Sequence, residues 1–597
     1  MSLIQFATPP NAGRRQFIQG LAGTAALGGL SPLAWAQQQA HVPELHGPVF
    51  DLTIGEIPHN VTGTARTAHA INGSVPAPTL RWKEGEEVTI RVKNTLPYAS
   101  SIHWHGILLP ANMDGVPGLS FKGIPAGETF TYRFRLKQSG TYWYHSHSGF
   151  QEQLGMYGAI VVEPREADPV SFDADKVLVL SDWTDEEPMR VFTKLKAMSD
   201  YYNFRQQTVA DLMRDVKEHG LRTTLVERAM WGEMRMMPTD LADISGYTYT
   251  YLANGHSPAA NHEMLFKPGQ RLRLRIVNAA AMSFFDVRIP GLKMTVVAAD
   301  GQNVHPVTVD EFRIGVAETY DVIVQPAADT AYTVFAQSYD RSGYARATLT
   351  PRRGVTADVP SLDPRPLLTM ADMGHGAGHG SGHGAHGNRM QHQDHSQHAG
   401  HQMDHSQSAK QGMSHAGDGD GDGMQSHHPS EKGNPAIDML TMSPSAKLDD
   451  PGIGLRDNGR DVLTYSRLKS LFPDPDGREA SREIELHLTG HMERYIWAFN
   501  GIKFSDSDAI RLKYGERVRF TLVNDTMMEH PIHLHGVWSD LEHEDGSFGV
   551  RKHTINMPPG TRRSYLVTAD ALGRWAYHCH LLFHMEAGMM REVRIDV

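Results

Sequence analysis

A segment of similar sequence occurs three times in this chain of 597 residues, and this repeat limits the folds that the chain can adopt. Each copy has a turn glycine, then alternating apolar and polar residues, then an asparagine nine residues after the glycine. The glycine–asparagine pairs are Gly85 and Asn94, Gly269 and Asn278, and Gly515 and Asn524. A period of two indicates a β-strand that follows a turn. The repeat therefore predicts an all-β chain of three homologous units.

The boundaries of these units follow from the repeat and from shifts in composition. We predict domains at residues 45–165, 172–352 and 440–597, and a His/Met-rich low-complexity segment at 366–435. That segment has almost no large apolar side chains, so we expect it to be disordered without metal. The formal net charge of -11 argues against nucleic acid as a partner.

The amino terminus has the pattern of an export signal. Arg14 and Arg15 precede a mildly apolar run, and Ala34-Trp35-Ala36 offers a cleavage site. We interpret residues 1–36 as a twin-arginine signal peptide, which predicts a periplasmic protein. No later run of apolar residues is long enough for a membrane span, so we expect no stable membrane insertion.

Four His-x-His pairs occupy matched positions in the first and third units. These pairs are His103 and His105, His145 and His147, His533 and His535, and His578 and His580. His103 and His533 each lie nine residues after the repeat asparagine, where the middle unit has Val287. Residues two apart share a face of a strand. We therefore expect eight imidazoles to meet between the outer units and to hold three metal ions, and imidazole is a good copper ligand.

Cys579 is the only cysteine of the chain, and it stands between His578 and His580. Strand alternation points its sulfur away from these two rings. His530 differs in parity from His533 and should share the face of Cys579. Together with His584 and Met589, these residues make a thiolate, imidazole and thioether set of the blue-copper type. Ser146 occupies the equivalent place in the first unit, so only the third unit should hold a mononuclear site.

With these motifs the chain resembles the three-domain multicopper oxidases. The motifs that carry the resemblance are His103-Trp104-His105-Gly106, His145-Ser146-His147, His530-Pro531-Ile532-His533-Leu534-His535-Gly536, and His578 through Met589. The resemblance implies three cupredoxin-like Greek-key β-barrels and four copper ions. Beside the type 1 copper, it implies a type 2 ion at His103 and His533. It implies one type 3 ion at His105, His145 and His580, and another at His147, His535 and His578.

The resemblance also implies a reaction. A donor loses electrons singly at the type 1 copper, and the electrons pass through Cys579 and the adjoining backbone to His578 or His580. Dioxygen is then reduced to two waters. Asp114 matches an acid that the family uses near the type 2 copper, although Asp-Gly is equally a turn signal. An acid that follows the last type 1 histidine in some relatives is Met585 here, so the sequence does not identify a second proton relay.

Two methionine-rich stretches of the sequence suggest that the electron donor is Cu(I). Thioethers select Cu(I), and both the low-complexity segment and the stretch Met230–Met237 are rich in them. The stretch follows a predicted helix at about 204–228, and Met527 and Met528 flank His530. These features resemble the bacterial copper-resistance branch, which implies oxidation of Cu(I) and other periplasmic copper-handling proteins as partners. Two alternatives are a laccase-like enzyme that oxidises phenols or another small organic reductant, and a non-enzymatic copper buffer.

Overall fold

The computed structural model describes residues 42–203, 205–375 and 425–597. The first unit contains β1 (Glu44–His46), β2 (Val49–Asn60), β3 (Ala65–Ile71), β4 (Ala77–Lys83), β5 (Glu87–Asn94), β6 (His103–His105), β7 (Thr129–Arg135), β8 (Gly140–His145) and β9 (Tyr157–Glu163). The second contains β10 (Ala174–Thr184), α1 (Pro188–Ala197), α2 (Val209–His219), α3 (Leu221–Glu233), β11 (Tyr249–Ala253), β12 (His262–Leu265), β13 (Leu272–Asn278), β14 (Phe285–Arg288), β15 (Met294–Ala299), β16 (Gln302–Val309), β17 (Glu311–Ile314), β18 (Thr319–Val324), β19 (Tyr332–Ser338) and β20 (Tyr344–Thr350). The third contains β21 (Arg482–His491), β22 (Ile496–Phe499), β23 (Ile510–Lys513), β24 (Arg517–Asn524), β25 (His530–Leu534), β26 (Ser539–Glu542), β27 (Phe548–Lys552), β28 (Thr554–Met557), β29 (Arg562–Thr568), β30 (Gly573–Cys579), α4 (Leu582–Glu586) and β31 (Met590–Asp596).

Each unit is a pair of facing sheets, and the strand order repeats. The second unit has the orders β11-β10-β13-β18-β15-β16 and β12-β20-β19-β14-β17. The third has β22-β21-β24-β29-β26-β27 and β23-β31-β30-β25-β28, which is the same arrangement strand for strand. The first has β3-β2-β5-β7 and β1-β4-β9-β8-β6, which keeps the common part of both sheets. The predicted all-β fold of three repeated units is confirmed.

The repeat asparagine ends the same strand in every unit and ties together the loops around it. Asn278, at the end of β13, is fully buried, and its Nδ2 donates to the carbonyl oxygens of Ser283 at 2.9 Å and Ile314 at 3.2 Å. Its Oδ1 accepts a hydrogen bond from the backbone N–H of Ala280 at 3.1 Å. Asn94 and Asn524 make the equivalent three bonds. A polar side chain is kept in three apolar cores because it satisfies loop backbone groups that are cut off from water.

The middle unit bridges the outer two through buried contacts. Gly301, in the turn between β15 and β16, has a φ of +76° and lies so close to Tyr142 of β8 that a Cβ would be 2.3 Å from the ring. On the other side, the buried ammonium of Lys552 in β27 lies 3.0 Å from Asp300 and 3.0 Å from Glu318. These contacts hold β8 and β27 against one domain, so the histidine strands of the outer units lie in a fixed relation.

Two regions depart from the expectations. The helix predicted over 204–228 is divided into α2 and α3, because Gly220 has a φ of 84° and breaks the backbone between them. Of the low-complexity segment, 376–424 lies outside the described residues, but the flanking stretches 366–375 and 425–435 pack on the third unit. There the side chain of Ser430 donates to the Asn500 carbonyl at 2.9 Å and Gln425 donates to Glu485 at 3.0 Å. Leu368 and Met373 are also buried in the core, so both hydrogen bonds and apolar packing hold these ends.

Several other predictions can be placed only in part. The predicted signal peptide at 1–36 lies outside the described residues, and the domain boundaries remain predictions. Met527 and Met528 are buried in the core, whereas Met213 and Met230 are exposed. None of the helices in the described part of the chain has the length and apolarity that crossing a bilayer requires.

We predict that Asn278→Ala lowers the free energy of unfolding by about 2–4 kcal/mol, because it leaves three buried backbone groups without partners. Chemical denaturation of the purified protein measures the change. Asn112→Ala, at an exposed position, is the control and should shift stability by less than ~0.5 kcal/mol. Equal effects of the two substitutions would show that the buried asparagine does not stabilise the repeat.

Candidate metal centre

The four histidine pairs lie on or directly after four strands that occupy equivalent places in the outer units. In the first unit β6 pairs with β8, and His103 lies directly opposite His145. In the third unit β25 pairs with β30, and His533 lies directly opposite His578. The same cross-strand pair is therefore formed twice, once on each side of the boundary between the two units.

All eight rings gather at this boundary. Across it, His103 stacks on His535 with ring centroids 3.9 Å apart, and His105 stacks on His533 at 3.8 Å. The Nε2 atoms of His145 and His580 are 3.3 Å apart, and those of His147 and His578 are 3.5 Å apart. His147, His535 and His578 have ring nitrogens close enough for one ion, and so do His103, His533 and His535.

Hydrogen bonds orient the rings. His103 Nδ1 donates to the Asp114 carbonyl at 2.8 Å, and His533 Nδ1 donates to the His553 carbonyl at 2.6 Å. A proton on Nδ1 leaves the Nε2 lone pair for a metal, and this use of the outer nitrogen is typical of metal-binding histidines. Within the described part of the chain, Nε2 of His103, His105 and His533 is buried without a hydrogen-bond partner. Unpartnered imidazole nitrogens facing one another fit copper ions.

Burial favours the neutral form of several of these rings. Burial, with the charges of neighbouring imidazoles, lowers the pKa of His105, His145 and His580 well below the usual value near 6.5. Burial also lowers the pKa of His578 to about 4. Only the neutral ring binds a metal, so the site favours the form that a ligand needs.

Cys579 faces the other side of β30, as strand alternation predicts. Its Sγ lies 3.5 Å from His530 Nδ1 and 3.9 Å from His584 Nδ1, and the two Nδ1 atoms are 3.2 Å apart. All three side chains are buried, and burial raises the pKa of the thiol. A thiolate therefore needs a cation beside it, which the same three atoms can bind. Met589 is buried next to them, with its carbonyl accepting from the Cys579 N–H at 3.2 Å.

The outer edge of His584 is covered by protein. Its Nε2 donates to Asp243 Oδ2 at 2.6 Å, and the hydroxyl of Tyr495 donates to the same oxygen at 2.6 Å. Trp497 stacks on the ring with centroids 4.0 Å apart. Asp243, Tyr495 and Trp497 therefore fix the ring and exclude water from it.

Asp114 lies beneath the eight rings. It is buried at the end of a short 3-10 turn, Ala111–Met113, and its Oδ2 accepts from His535 Nδ1 at 2.9 Å. Its Oδ1 lies 3.3 Å from His103 Nδ1. Asp114 is therefore both a turn residue and an acid beside the cluster, because the turn places its carboxylate between two of the rings.

Sequence reasoning missed three groups that lie close to the predicted ligands. Asp243 belongs to the middle unit and lies 341 residues from His584. Glu152 is buried with its Oε2 2.6 Å from His145 Nδ1, and burial raises its pKa well above the usual value. His553 is a further buried histidine beside the eight rings, and its nitrogens lie near those of His105 and His533. None of the three belongs to a repeated motif, so no spacing pattern could identify it.

Comparison with known families gives three matches along the chain. Residues 53–167, 174–354 and 477–597 each match a family model described as multicopper oxidase. The three matches follow the three units of the repeat, and together they cover more than half of the chain.

Individual relatives cover nearly the whole chain. Copper resistance protein A of Escherichia coli is 59% identical over 98% of this chain and 99% of the relative. Copper resistance protein A of Pseudomonas syringae pv. tomato is 60% identical over 98% of this chain and 99% of the relative. Among solved structures, Fet3p, a multicopper oxidase that functions in iron import, aligns with a TM-score of 0.61 at 19% identity, over 92% of this chain and 91% of that chain. The fold is therefore of the cupredoxin-like multicopper oxidase type, and the chain is an oxidoreductase that uses copper. It belongs to the multicopper oxidase family.

Proposed function

We propose that this protein oxidises Cu(I) to Cu(II) and couples four such oxidations to the reduction of dioxygen to water, as a means of copper resistance. Four Cu(I) ions, one dioxygen molecule and four protons give four Cu(II) ions and two waters. The observation that carries the proposal is the complete burial of His530 and His584, with Asp243 of the middle unit bound to the outer nitrogen of His584.

The burial of His530 and His584 favours a small electron donor, such as a metal ion, over a phenol. A phenol transfers an electron most readily when it contacts an exposed edge of a type 1 histidine. Here His530 and His584 are fully buried, and the outer nitrogen of His584 is bound to Asp243. In a laccase-like reaction the electron would therefore travel a longer path from the phenol to the type 1 copper. From a metal ion bound beside Asp243, the electron would cross only the hydrogen bond between Asp243 and His584.

The cover of His584 has groups that suit a cation. Asp240 and Asp243 are buried, and one carboxylate oxygen of each lacks a hydrogen-bond partner among the described residues. Burial and the charge of Asp243 raise the pKa of Asp240 well above its usual value, so a cation would relieve an unfavourable pair of acids. Met236 and Met237 begin the same loop. Thioethers select Cu(I), and carboxylate oxygens favour the Cu(II) state that oxidation produces.

The loop is held against the third unit beside the type 1 residues. Arg235 Nη1 donates to Asp438 at 2.8 Å, and Asp438 also accepts from the backbone N–H of Met492 at 2.6 Å. Met492 leads into Tyr495, whose hydroxyl contacts Asp243. This chain of contacts connects the methionine-rich stretch 230–237 to the residues that cover His584.

For the resident copper we propose the ligands that strand parity and the family motifs indicate. His530, Cys579, His584 and Met589 would hold the type 1 ion, and the four histidine pairs would hold three further ions. When bound, copper supplies one-electron redox chemistry at the first site and a place for dioxygen to accept four electrons at the second. Cys579 is covalently joined to His578 and His580, so one strand connects the two sites without an intervening gap.

Proton delivery is proposed for Asp114. Its Oδ2 holds the Nδ1 proton of His535, and its Oδ1 lies 3.3 Å from His103 Nδ1. A buried carboxylate at this place can accept a proton from the surface and pass it toward the rings where water is formed. Glu152, beside His145, occupies the other side of the cluster and offers a second carboxyl group.

The relatives and the sequence support the setting of the reaction. Two nearly full-length relatives are named copper resistance protein A, and the predicted twin-arginine signal would place this protein in the periplasm with other copper-handling proteins. A copper buffer is a weaker proposal, because storage of copper does not require a thiolate joined to eight imidazoles.

We predict that Cys579→Ser abolishes the blue absorption band and oxygen uptake, since serine cannot supply the thiolate ligand. Metal analysis should still find copper at the eight histidines. Full oxygen uptake with Cu(I) in this variant would contradict the assigned electron entry.

We predict that Asp114→Asn lowers the rate of oxygen uptake by about 10²–10⁴-fold, the usual contribution of a general acid or base. Asparagine keeps an oxygen that can accept from His535, so copper content and the blue band should stay unchanged. The measurement is oxygen uptake from pH 5 to 8. A rate that falls only together with copper content would make Asp114 a structural residue.

We predict that Asp240→Asn lowers kcat/KM for Cu(I) about tenfold, equivalent to ~1.4 kcal/mol of binding free energy. The variant should keep its rate with a phenol and its blue band, because Asp240 does not contact His584. Oxygen uptake with each donor provides the comparison, and Asp185→Asn at a partly exposed position of the same unit is the control. Equal losses with Cu(I) and phenol would exclude Asp240 from a Cu(I) site.

A further inference from the structure

A second group of metal-binding side chains lies in the third unit, apart from the eight histidines and Cys579. Its four members, which we call the 427–525 cluster, are His427, Glu431, His487 and Asp525. His487 lies on β21 and Asp525 directly follows β24, its parallel neighbour. His427 and Glu431 lie in the stretch that packs against these strands. The cluster thus joins two central strands to the carboxyl-terminal end of the His/Met-rich segment.

The four side chains point one ligand atom each at a common centre, and these atoms all lie within 4.8 Å of one another. His427 Nδ1 is 3.4 Å from Glu431 Oε2 and 3.6 Å from Asp525 Oδ2. His487 Nδ1 is 3.5 Å from Glu431 Oε2 and 2.7 Å from Asp525 Oδ2. Two bonds of ~2.0–2.2 Å at a tetrahedral angle place their ligand atoms about 3.3–3.6 Å apart. Three of the four separations therefore suit a metal ion without rearrangement.

The outer nitrogens of both rings are already used. His427 Nε2 donates to the carbonyl of Thr441 at 3.0 Å, and His487 Nε2 donates to Glu485 Oε1 at 3.1 Å. Glu485 is itself held by Arg562 and Gln425. A carbonyl or carboxylate behind a histidine fixes the ring and directs its second nitrogen to the metal. Both Nδ1 atoms accordingly face the centre.

Two atoms of the cluster lack hydrogen-bond partners among the described residues. They are His427 Nδ1, which faces the centre, and Glu431 Oε1, the second oxygen of the carboxylate whose Oε2 faces the centre. The Glu431 side chain is fully buried. The Asp525 side chain is also fully buried, with its Oδ1 accepting from the Thr441 N–H at 2.8 Å. Burial of two carboxylates with unfilled bonding capacity is unfavourable unless a cation compensates them.

Without a metal ion, a proton can supply part of this compensation. Burial acts to lower the pKa of His487, but its hydrogen bonds to Asp525 and Glu485 outweigh this effect and raise the pKa to about 10. The alternative to a metal site is therefore an ion-pair network around a protonated His487. Such a network accounts for the bond between His487 and Asp525, and a protonated His427 would add ion pairs to Glu431 and Asp525. It still leaves Glu431 Oε1 without a hydrogen-bond partner among the described residues.

We propose that the 427–525 cluster binds one divalent cation, with Cu(II) preferred. The donor set of two imidazoles and two carboxylates contains no sulfur, whereas Cu(I) is selected by thiolates and thioethers. Among divalent ions, Cu(II) has the highest affinity for nitrogen and oxygen donors. The identification of Cu(II) as the physiological ion rests on the proposed oxidation of Cu(I), which supplies it; the binding site itself does not depend on that reaction.

The direct test is anomalous diffraction at the copper edge from crystals of the full-length protein equilibrated with Cu(II) sulfate. We expect a peak within about 2.0–2.3 Å of His427 Nδ1 and His487 Nδ1. Copper at the eight histidines serves as the internal reference. Occupied reference sites with no peak at the 427–525 cluster would overturn the proposal in favour of the ion-pair network.

A pair of neighbouring substitutions tests the same site in solution. His427→Gln removes a ligand and should lower the Cu(II) content after dialysis by one ion per chain, whereas His428→Gln, an exposed neighbour outside the cluster, should leave it unchanged. Oxygen uptake with Cu(I) should be equal in both variants. Equal copper contents in the two variants would overturn the proposal. If the wild-type protein does not oxidise Cu(I) but the copper peak at the 427–525 cluster is present, the proposed function is rejected and the proposed binding site is retained.

Discussion

The alternation of side chains along β30 is the constraint on which the rest of the structure depends. Along this strand His578 and His580 face one side and Cys579 faces the other. A single extended strand can therefore contribute side chains to two sites. Its partner β25 obeys the same rule, with His530 on the side of the sulfur and His533 on the side of the rings. The outer units then have to meet along this face, because four of the eight imidazoles come from each. The middle unit fixes that meeting through Gly301 at Tyr142 and Asp300 at Lys552.

Much of the fold and the centre could be predicted because both depend on short, repeated patterns. The nine-residue spacing from Gly269 to Asn278 recurs in all three units, and the buried asparagine explains why it recurs. The spacing of His103 and His533 from their asparagines is equal, and the structure places both rings at one boundary. Parity alone was enough to separate Cys579 from its neighbours.

What could not be predicted comes from contacts between distant parts of the chain. Asp243 reaches His584 from another domain, and no local pattern records that contact. Glu152 follows a histidine pair but has no equivalent in the third unit, so the repeat could not identify it. In the low-complexity segment, composition predicted a metal-binding stretch but could not show that His427 and Glu431 complete a site with His487 and Asp525. The break at Gly220 was missed because a single glycine is tolerated within a helix and does not by itself predict a break. Here its φ of 84° separates α2 from α3.

The arrangement separates three tasks. Buried rings and a covering carboxylate limit access to the proposed type 1 residues. The eight imidazoles gather at the boundary between the outer units, and Asp114 contacts two of them as the proposed proton donor. The most direct measurement of the central claim is the electron paramagnetic resonance spectrum of the copper-loaded protein, integrated against its metal content. The account predicts four coppers per chain, two of them visible as one type 1 and one type 2 signal, and two silent because they form a coupled pair. Four separately visible coppers, or no type 1 signal at full loading, would contradict it.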